Sequence, residues 1–260
     1  MGFEIIMQYI QPLRKYLVLA SIPFFLISCG TANYRLVKSN RSEYKMNGER
    51  AVDSGLIKTY LPYKIKMEQE MNTVIGHSEV LMTKNDKVPE NLLRNFFADA
   101  LFHEVLKYDP AVDFAMPSTN GGLRVDIPKG DIKVSNIFEV MPFENEMMVF
   151  TLGPSDVQNL LSYIARTGGQ PVAGLRMKIV DNRPTEVMIN GKPLDPKRNY
   201  KILTSDYVAE GGDNVQSFKK PIDKKILGIR MRDALITYIK EHQAAGKTIN
   251  PKLDGRITKD

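Results

Sequence analysis

Three short loop segments of this chain place polar or aromatic side chains directly after apolar runs. The segment Leu203–Asn214 contains two adjacent glycines followed by Asp213, and the segments Asn120–Arg124 and Met141–Asn145 set polar or aromatic groups beside glycine or proline. Paired glycines accept positive φ angles and let another group approach the backbone closely. A glycine pair on its own more often marks a tight turn. Three such loops in one chain predict that they converge on one pocket.

The side chains in these loops include two aromatic rings, a carboxylate and a guanidinium. Phe143 and Tyr207 can stack on a planar group, at about 1–3 kcal/mol for each stacked base. Asp213 can accept hydrogen bonds from a pair of hydroxyls, and Arg124 can donate to an anion or to sugar oxygens. The base, ribose and phosphate of a nucleotide would each have a partner. In the alternative interpretation, both rings belong to the core and the acid only caps a turn.

Sequence motifs for hydrolysis, phosphate binding or dinucleotide binding are missing. The chain contains no Gly-x-Ser-x-Gly, no Gly-x-x-x-x-Gly-Lys-Ser/Thr and no Gly-x-Gly-x-x-Gly. The three histidines, His77, His103 and His242, have no metal-ligand spacing such as His-x-His. We therefore predict no catalytic residue, no metal site and no cofactor in this chain.

The composition is that of an ordinary globular protein with a mild basic excess. Of 260 residues, 43% are apolar, and 36 Lys and Arg against 30 Asp and Glu give a formal net charge of +6. This excess suits an anionic ligand, but no helix-turn-helix, zinc-finger or RNP-like pattern accompanies it, so nucleic acid is not an expected partner. The single cysteine, Cys29, excludes an internal disulfide framework and a multi-cysteine metal cluster.

Residues 1–28 have the pattern of a lipoprotein signal peptide. Arg14 and Lys15 precede the apolar run Tyr16–Ile27, which as a helix would span roughly 18 Å, short of the hydrocarbon core of about 30 Å. The segment Leu26–Cys29 resembles the bacterial lipobox, in which the cysteine is acylated and becomes the first mature residue. We therefore predict lipidation of Cys29 and a lipid-anchored protein of the bacterial cell envelope, facing the periplasm or the cell exterior. A signal peptide cleaved near a free thiol is the alternative.

Residues 29–48 are polar and basic, and we interpret them as a flexible tether. Residues 49–260 are predicted to form one mixed α/β domain in which helices pack on a mixed sheet. Apolar residues at helical spacing predict helices at Ser54–Asn72, kinked or divided at Pro62, and at Pro89–Tyr108, Ser155–Arg166 and Ile226–His242. β-prone runs predict strands at Thr73–Met82, Val112–Met116, Met147–Leu152, Leu175–Val180, Pro184–Ile189 and Tyr200–Leu203, with a strand or helical turn in Asp131–Val140. Asn190-Gly191 predicts a hairpin turn, and Asp99 is expected to hold a loop backbone in place.

Four motifs occur in order along the predicted domain. They are Arg94-Asn95-Phe96-Phe97-Ala98-Asp99-Ala100, Asn120-Gly121-Gly122-Leu123-Arg124, Pro142-Phe143-Glu144-Asn145, and Tyr207 six residues before the acid of Gly211-Gly212-Asp213. Together they resemble the C-terminal domain of the 5′-nucleotidases, the family that includes periplasmic UDP-sugar hydrolase and ecto-5′-nucleotidase. The resemblance extends from about Glu49 onward and implies the fold of that domain.

The resemblance assigns roles to the matched residues. In that family two aromatic rings sandwich the base, which implies that Phe143 and Tyr207 do so here. It implies further that Asp213 holds the ribose hydroxyls and that Arg124 contacts the ribose or the phosphate end. The remaining matched residues, expected to bind substrate or to support the base loop, are Asn145, Asn120, Gly122, Gly212 and Asn95.

Three positions depart from the family's pattern. Arg94 replaces a glycine at the helix start, where it either adds a cation that faces the phosphate or is solvated. The loop before Arg124 is one residue shorter than in some members, which leaves open whether Thr119 or Asn120 faces the base. Tyr207 replaces the commoner Phe, which keeps the stacking ring and adds a hydroxyl.

The sequence lacks the motifs of the metallophosphatase domain that accompanies this domain in the family it resembles. Those motifs include Asp-x-His, Gly-Asn-His-Asp/Glu and His-x-His, and they hold two metal ions that activate water for phosphoester cleavage. We therefore expect the recognition subunit of a split 5′-nucleotidase, with the divalent metals in a separate metallophosphatase chain. The alternatives are a stand-alone nucleoside- or nucleotide-binding lipoprotein without catalysis and a structural relic with a filled pocket.

Overall fold

The computed structural model describes residue 35 and residues 38–45, 53–85 and 87–260. The predicted signal peptide and the predicted lipidation of Cys29 lie outside these residues. Residues 38–45, within the predicted tether, are exposed and have neither helix nor strand. None of the helices in the described ranges combines the length and the apolar character needed to cross a membrane.

Helices and strands are interspersed from Ser54 to Lys259, with four strands in succession between residues 175 and 205. The helices of the described residues are α1 (Ser54–Met71), α2 (Leu92–Leu106), α3 (Val134–Val140), α4 (Pro154–Arg166), α5 (Asp206–Ala209) and α6 (Met231–Ala244). The strands are β1 (Val74–Ser78), β2 (Phe114–Ala115), β3 (Gly130–Lys133), β4 (Glu146–Leu152), β5 (Leu175–Val180), β6 (Arg183–Ile189), β7 (Lys192–Pro193), β8 (Tyr200–Ser205), β9 (Asp223–Arg230) and β10 (Ile257–Lys259). Two 3-10 turns, Asn120–Gly122 and Gly212–Asn214, lie in the loops singled out from the sequence.

The strands form three sheets that contain both parallel and antiparallel pairs. The central sheet has the order β2-β8-β4-β9, with β8 parallel to β2 and antiparallel to β4. A second sheet has the order β10-β5-β6-β7, and the Asn190-Gly191 turn joins β6 to β7 as a hairpin. The strands β1 and β3 pair separately. This is the mixed α/β fold with helices on sheets that the sequence predicts.

Three strands of the central sheet, β2, β4 and β8, are buried on both faces. Side chains alternate between the faces of a strand, and accordingly Val149 and Leu203 belong to one hydrophobic cluster while Phe150 and Ile202 belong to another. Apolar residues of α2 and α6 build the first cluster, and those of α4 build the second. Burial on both faces fixes the register of β4 and β8, since a one-residue slip would exchange the two sets of side chains. The loops that leave these strands therefore start from fixed positions.

The predicted helix Ile226–His242 is wrong in its first part. Residues 223–230 form β9, an edge strand paired with β4, and the helix begins only at Met231. Ile226 and Ile229 lie three residues apart and fit a helix, but the open edge of β4 carries backbone groups that pairing with β9 satisfies. Gly228 has a φ of 67°, which a right-handed helix does not accept.

Other element boundaries differ from the predictions by a few residues. Pro62 does not divide α1, which is continuous. The segment Asp131–Val140 holds both the end of a strand and a helix rather than one of the two. The helix predicted from Pro89 begins at Leu92, because the side chain of Asn91 accepts a hydrogen bond from the backbone N–H of the third helical residue and caps the helix there.

Asp99 pairs with a side chain instead of holding a loop backbone. Its two carboxylate oxygens accept hydrogen bonds of 2.6 and 2.9 Å from the guanidinium of Arg256, which also donates to Asp254 and to the carbonyl of Val172. A guanidinium satisfies both oxygens of a carboxylate at once, which a single backbone N–H does not. Asp99 therefore ties α2 to the C-terminal segment.

Candidate functional site

The three loops singled out from the sequence meet at one cavity. Its volume is about 230 Å³, and its lining consists of Ser118, Gly121, Gly122, Arg124, Phe143, Asn145, Tyr207 and Asp213. The loop after β2 supplies the residues up to Arg124, the turn between α3 and β4 supplies Phe143 and Asn145, and the segment after β8 supplies Tyr207 and Asp213. Residues far apart in sequence thus form a single surface open to solvent.

A larger cavity, of about 360 Å³, lies elsewhere in the fold. Residues of α2, of α6 and of the C-terminal segment line it. Its buried cation, Arg256, already donates hydrogen bonds to Asp99 and Asp254, so its charge is compensated within the protein. The smaller cavity combines rings, an exposed acid and an exposed base, and we therefore place the candidate site there.

Both predicted stacking rings reach solvent. Phe143 is 40% exposed and Tyr207 is 47% exposed, whereas the aromatic residues of the core, such as Phe97 and Phe114, are fully buried. Because a large exposed aromatic side chain loses the burial that stabilises core rings, two of them beside one cavity indicate a binding surface. The alternative that both rings are core residues is wrong.

Gly212 lets the Tyr207 ring lie directly against the backbone. A Cβ atom at Gly212 would stand 2.6 Å from Cδ1 and Cζ of that ring and closer still to Cε1. The preceding residue, Gly211, has a φ of 97° and turns the chain, and Asp213 follows at a φ of 48°. The glycine pair therefore has two different tasks: the first residue makes the turn and the second makes room for the ring.

The carboxylate of Asp213 is held by two hydroxyl groups. The Thr119 hydroxyl donates to one oxygen, and the Tyr207 hydroxyl donates to the other at 3.1 Å. The hydroxyl of Tyr163 donates to the main-chain carbonyl of Asp213 at 3.2 Å. Each carboxylate oxygen has two lone pairs, so Asp213 keeps acceptor capacity for a ligand diol. Burial and the negative charge of Asp213 raise the pKa of Tyr163, which keeps its hydroxyl protonated as a donor.

Arg124 lies over the Phe143 side of the cavity. Its guanidinium carbon is 5.8 Å from the centre of the Phe143 ring, and one N–H donates to the carbonyl of Gly121 at 3.3 Å. A guanidinium has five N–H donors, and the side chain is exposed, so it can donate to an anionic group while it stays against the ring.

The loop that carries Phe143 is fixed by α6 and α5. The side chain of Arg232, which is 5% exposed, donates to the carbonyl of Phe143 and to the carboxylate of Glu144. The backbone carbonyl of Asn145 accepts from Met231, and its side-chain amide donates to Asp206, both at 2.9 Å. Asn145 therefore holds the loop that carries Phe143 against α5 and α6.

Arg232 is one of three residues around this site that sequence reasoning missed, together with Ser118 and Tyr163. The guanidinium carbon of Arg232 lies 4.0 Å from the centre of the Phe138 ring. The guanidinium group is therefore held by this ring as well as by its hydrogen bonds to the loop that carries Phe143. The hydrogen bond from Arg232 lowers the pKa of Glu144, which keeps that carboxylate ionised and the contact intact. The residue lies in a stretch that the sequence assigned to the middle of a helix, and its position at the start of α6 was needed to see its role.

Asn120 turns away from the cavity. Its backbone N–H donates to Gln170 and its side-chain amide to the carbonyl of Gly169. Of Thr119 and Asn120, it is Thr119 whose side chain reaches Asp213. Neither Thr119 nor Asn120 lines the cavity, whereas Gly122 does. The structure does not bring Asn120 to the cavity; its side chain fastens this loop to the end of α4.

Asn95 also lies away from the cavity. It is 2% exposed, and its amide donates to Glu90 at 2.6 Å and to the carbonyl of Lys252 at 2.8 Å. Arg94 is equally buried and donates to the carbonyl of Val88 at 2.7 Å, so it is neither a cation facing a phosphate nor solvated. Both side chains anchor loops around the start of α2, which is a structural task that a motif match cannot separate from ligand binding.

One group of side chains in the described residues has the spacing of metal ligands. Ligand atoms of His103, Glu104 and Glu241 lie within 4.8 Å of one another. The ammonium of Lys107 donates to Glu104 at 2.8 Å and to Glu241 at 2.6 Å, so a lysine already occupies the position between the two acids. These residues are not part of the cavity lining.

The motifs and the fold agree with one protein family. The family model described as "5'-nucleotidase, C-terminal domain" matches residues 74–220, more than half of the chain. The chain belongs to this family. All the residues that line the candidate cavity fall within the matched range.

Similar proteins are longer than this chain, which matches only a part of each. The trifunctional nucleotide phosphoesterase protein YfkN of Bacillus subtilis is 26% identical over 215 residues, which are 75% of this chain and 14% of that protein. The cell wall protein Lmo0130 of Listeria monocytogenes is 27% identical over 223 residues, 74% of this chain and 28% of that protein. Protein UshA of Yersinia enterocolitica is 27% identical over 203 residues, 75% of this chain and 36% of that protein.

Solved structures show the same fold. The 5′-nucleotidase precursor from Thermus thermophilus superposes with a TM-score of 0.65 at 24% identity, over 78% of this chain and 42% of that chain. The NAD nucleotidase NadN of Haemophilus influenzae superposes with a TM-score of 0.60 at 17% identity, over 80% of this chain and 41% of that chain. The chain thus spans well under half the length of the relatives that it matches.

Proposed function

We propose that this chain recognises a nucleotide as one subunit of a split 5′-nucleotidase, whose phosphoester-cleaving centre lies on a separate metallophosphatase chain. The observation that carries the proposal is one open cavity that joins two exposed rings, a carboxylate and a guanidinium: Phe143, Tyr207, Asp213 and Arg124. Membership of the 5′-nucleotidase C-terminal domain family supports a nucleotide as the ligand.

Each part of a nucleotide has a partner in this arrangement. The base enters between Phe143 and Tyr207, where stacking contributes about 1–3 kcal/mol for each ring. The ribose hydroxyls donate to the carboxylate of Asp213, which Thr119 and Tyr207 hold in place. Arg124 donates to the ribose oxygens or to the phosphate end. These contacts bind and orient the nucleotide and leave its phosphate directed toward a second polypeptide.

Cleavage of the phosphoester requires groups that the cavity does not contain. A two-metal phosphatase centre is held by several histidine and carboxylate ligands, and it supplies the activated water and the Lewis acid. The lining of the cavity contains one carboxylate, that of Asp213, and neither histidine nor cysteine. We therefore assign the divalent metals to the partner and substrate positioning to this chain.

The location that fits this function is the bacterial cell envelope, facing the periplasm or the cell exterior. The lipobox-like segment that ends at Cys29 supports a lipid anchor. One relative, Lmo0130, is described as a cell wall protein. A recognition subunit held at the membrane surface would meet extracytoplasmic nucleotides together with its partner.

Reconstitution tests the proposal. A metallophosphatase that carries the two-metal motifs is assayed for phosphate release from AMP alone, with this chain, and with a chain carrying Phe143→Ala and Tyr207→Ala. We expect the chain to increase phosphate release and the double variant to lose the increase. Absence of any gain with the wild-type chain, over a panel of metallophosphatases, would contradict the proposal.

Calorimetry with the isolated chain separates this function from the alternative of a stand-alone binding lipoprotein. Adenosine and AMP are titrated into the chain without and with the metallophosphatase. Strong binding by the isolated chain, together with no gain in phosphate release, would favour the binding lipoprotein.

A further inference from the structure

Helix α1 carries a row of exposed apolar side chains. Leu56, Tyr60, Tyr63 and Met67 are 66%, 48%, 76% and 54% exposed, and no residue of this 18-residue helix is buried. Single exposed apolar residues are ordinary on protein surfaces. Four of them in one continuous row are typical of a surface that another molecule covers.

The four side chains lie on one side of the helix. Their spacings are four, three and four residues, and at about 100° per residue they fall within an arc of about 60° over a length of about 16 Å. This is the spacing of the contact residues in a helix that packs along a second helix or in a groove. We call these four residues the α1 stripe.

The described residues leave every side chain of α1 at least partly exposed. Most of the stability of a protein helix comes from packing an apolar face, and Pro62 inside α1 removes a main-chain hydrogen bond. The ion pairs Lys64–Glu68 and Lys66–Glu70 are exposed, and such pairs contribute little. The α1 stripe is the more exposed of two apolar rows on this helix, since Leu61 and Ile65 on another side are 40% and 47% exposed, and its burial would stabilise the helix.

The position of α1 in the sequence indicates what covers it. The family match begins at residue 74, three residues after α1 ends, and the matched family is a C-terminal domain. The longer relatives therefore carry additional chain on the N-terminal side of the matched domain, which is the side on which α1 lies. A separate polypeptide that takes the place of this N-terminal chain would approach the domain from the side on which α1 lies.

We infer that the α1 stripe is the docking surface for the metallophosphatase chain, whose matching surface is an apolar groove or helix face. The inference rests on the proposed function and adds the surface through which the two chains assemble. Nucleotide binding and assembly then depend on different parts of this chain: the cavity at Phe143 and Tyr207 binds the nucleotide, and α1 binds the partner.

A charge placed in the stripe tests the inference. The variant Tyr63→Glu puts a carboxylate in the middle of the row, and Gln69→Glu puts the same charge on the far side of the helix as a control. Full chains also carry Cys29→Ser, so that no acyl group complicates the measurements. Affinity for the metallophosphatase is measured by surface plasmon resonance, and adenosine affinity by calorimetry.

We expect Tyr63→Glu to weaken partner binding at least about tenfold, as for the central residues of an interface, and to leave adenosine affinity unchanged. Gln69→Glu should bind the partner as the wild type does.

Four other results would overturn the inference, and they are distinguishable. Wild-type partner affinity in Tyr63→Glu would show that the stripe is not the docking surface, while the proposed function would stand. No measurable partner binding by the wild-type chain would remove the proposed function as well. A wild-type dimer in light scattering that Tyr63→Glu dissociates would assign the stripe to a second copy of this chain. Sedimentation with phosphatidylglycerol vesicles that Tyr63→Glu abolishes would assign it to a membrane surface.

Discussion

Replacement of Gly212 by alanine tests the geometry of the base site with a single methyl group. The added Cβ would stand 2.6 Å from two carbons of the Tyr207 ring, whereas ordinary contacts between carbon atoms begin near 3.5 Å, so the ring must move by about 1 Å. Tyr207 is 47% exposed and can move outward, so the fold should be retained. The displaced ring no longer stacks on the base, and the loss of about 1–3 kcal/mol predicts an adenosine affinity about 5- to 150-fold lower.

The assay is calorimetric titration of adenosine into wild type and variant, with thermal unfolding as a check on the fold. The matched control is Gly153→Ala, because a Cβ there would meet its nearest neighbour, Ile222, at an ordinary 3.7 Å. The control should bind as the wild type does. Wild-type affinity in Gly212→Ala would refute the role of the Tyr207 ring, and an equal loss in both variants would show that the effect is not specific to the cavity.

Three further predictions concern the sugar contact, the base loop and acid stability. Replacement of Asp213 by Asn should weaken adenosine binding by about tenfold but leave binding of a nucleoside without 2′- and 3′-hydroxyls nearly unchanged in calorimetry, because a charged acceptor is lost only for the diol. Arg232→Met should lower both adenosine affinity and the free energy of unfolding, the latter by about 1–3 kcal/mol in urea titration, because the carbonyl of Phe143 loses its donor. The third prediction concerns the ion pair between Asp109 and Lys201. Burial alone would raise the pKa of the Asp109 carboxyl, but the hydrogen bond from Lys201 opposes burial, and this pKa lies below its ordinary value. The ion pair therefore stabilises the fold at pH values above the ordinary aspartate pKa of 3.8, and this stabilisation is lost as the pH falls further. Below that pH, the urea midpoint of Asp109→Asn should decrease less steeply with falling pH than the urea midpoint of the wild type.

The sequence was sufficient to predict that the loops carrying Arg124, Phe143, Tyr207 and Asp213 meet at one cavity. Each of the three loops follows a strand or helix with a clear hydrophobic pattern, and the sequence of loop residues matches a family motif at each. The tertiary partners of those loops were not visible in the same way. Arg232 contacts Phe143 across 89 positions of sequence, and no local pattern distinguishes it from a solvated arginine on a helix.

Two residues show that membership of a matched motif does not place a side chain at the cavity. Asn95 and Asn120 both belong to matched motifs, but each donates its side-chain amide to the protein's own carbonyls. An amide that fastens a loop and an amide that binds a base have the same sequence pattern, because both roles require a polar side chain in a fixed position. Only the direction of the side chain separates them.

The incorrect prediction of a helix at residues 226–230, which belong to β9, has a different cause. Apolar residues at 226 and 229 suit either a helix or an edge strand, and the choice depends on the free edge of β4, which local sequence does not show. The exposure of Ile226, at 60%, is typical of an edge strand rather than of the buried stripe of a helix. A helix packed against the core would have buried this residue.

The central claim is that a nucleoside base is held between Phe143 and Tyr207 with its ribose on Asp213. A crystal structure of the chain soaked with adenosine tests it most directly. The account predicts the purine between the two rings, with the ribose hydroxyls within hydrogen-bond distance of the Asp213 carboxylate. An adenosine bound at another cavity, or a purine that contacts neither ring at saturating concentration, would contradict it.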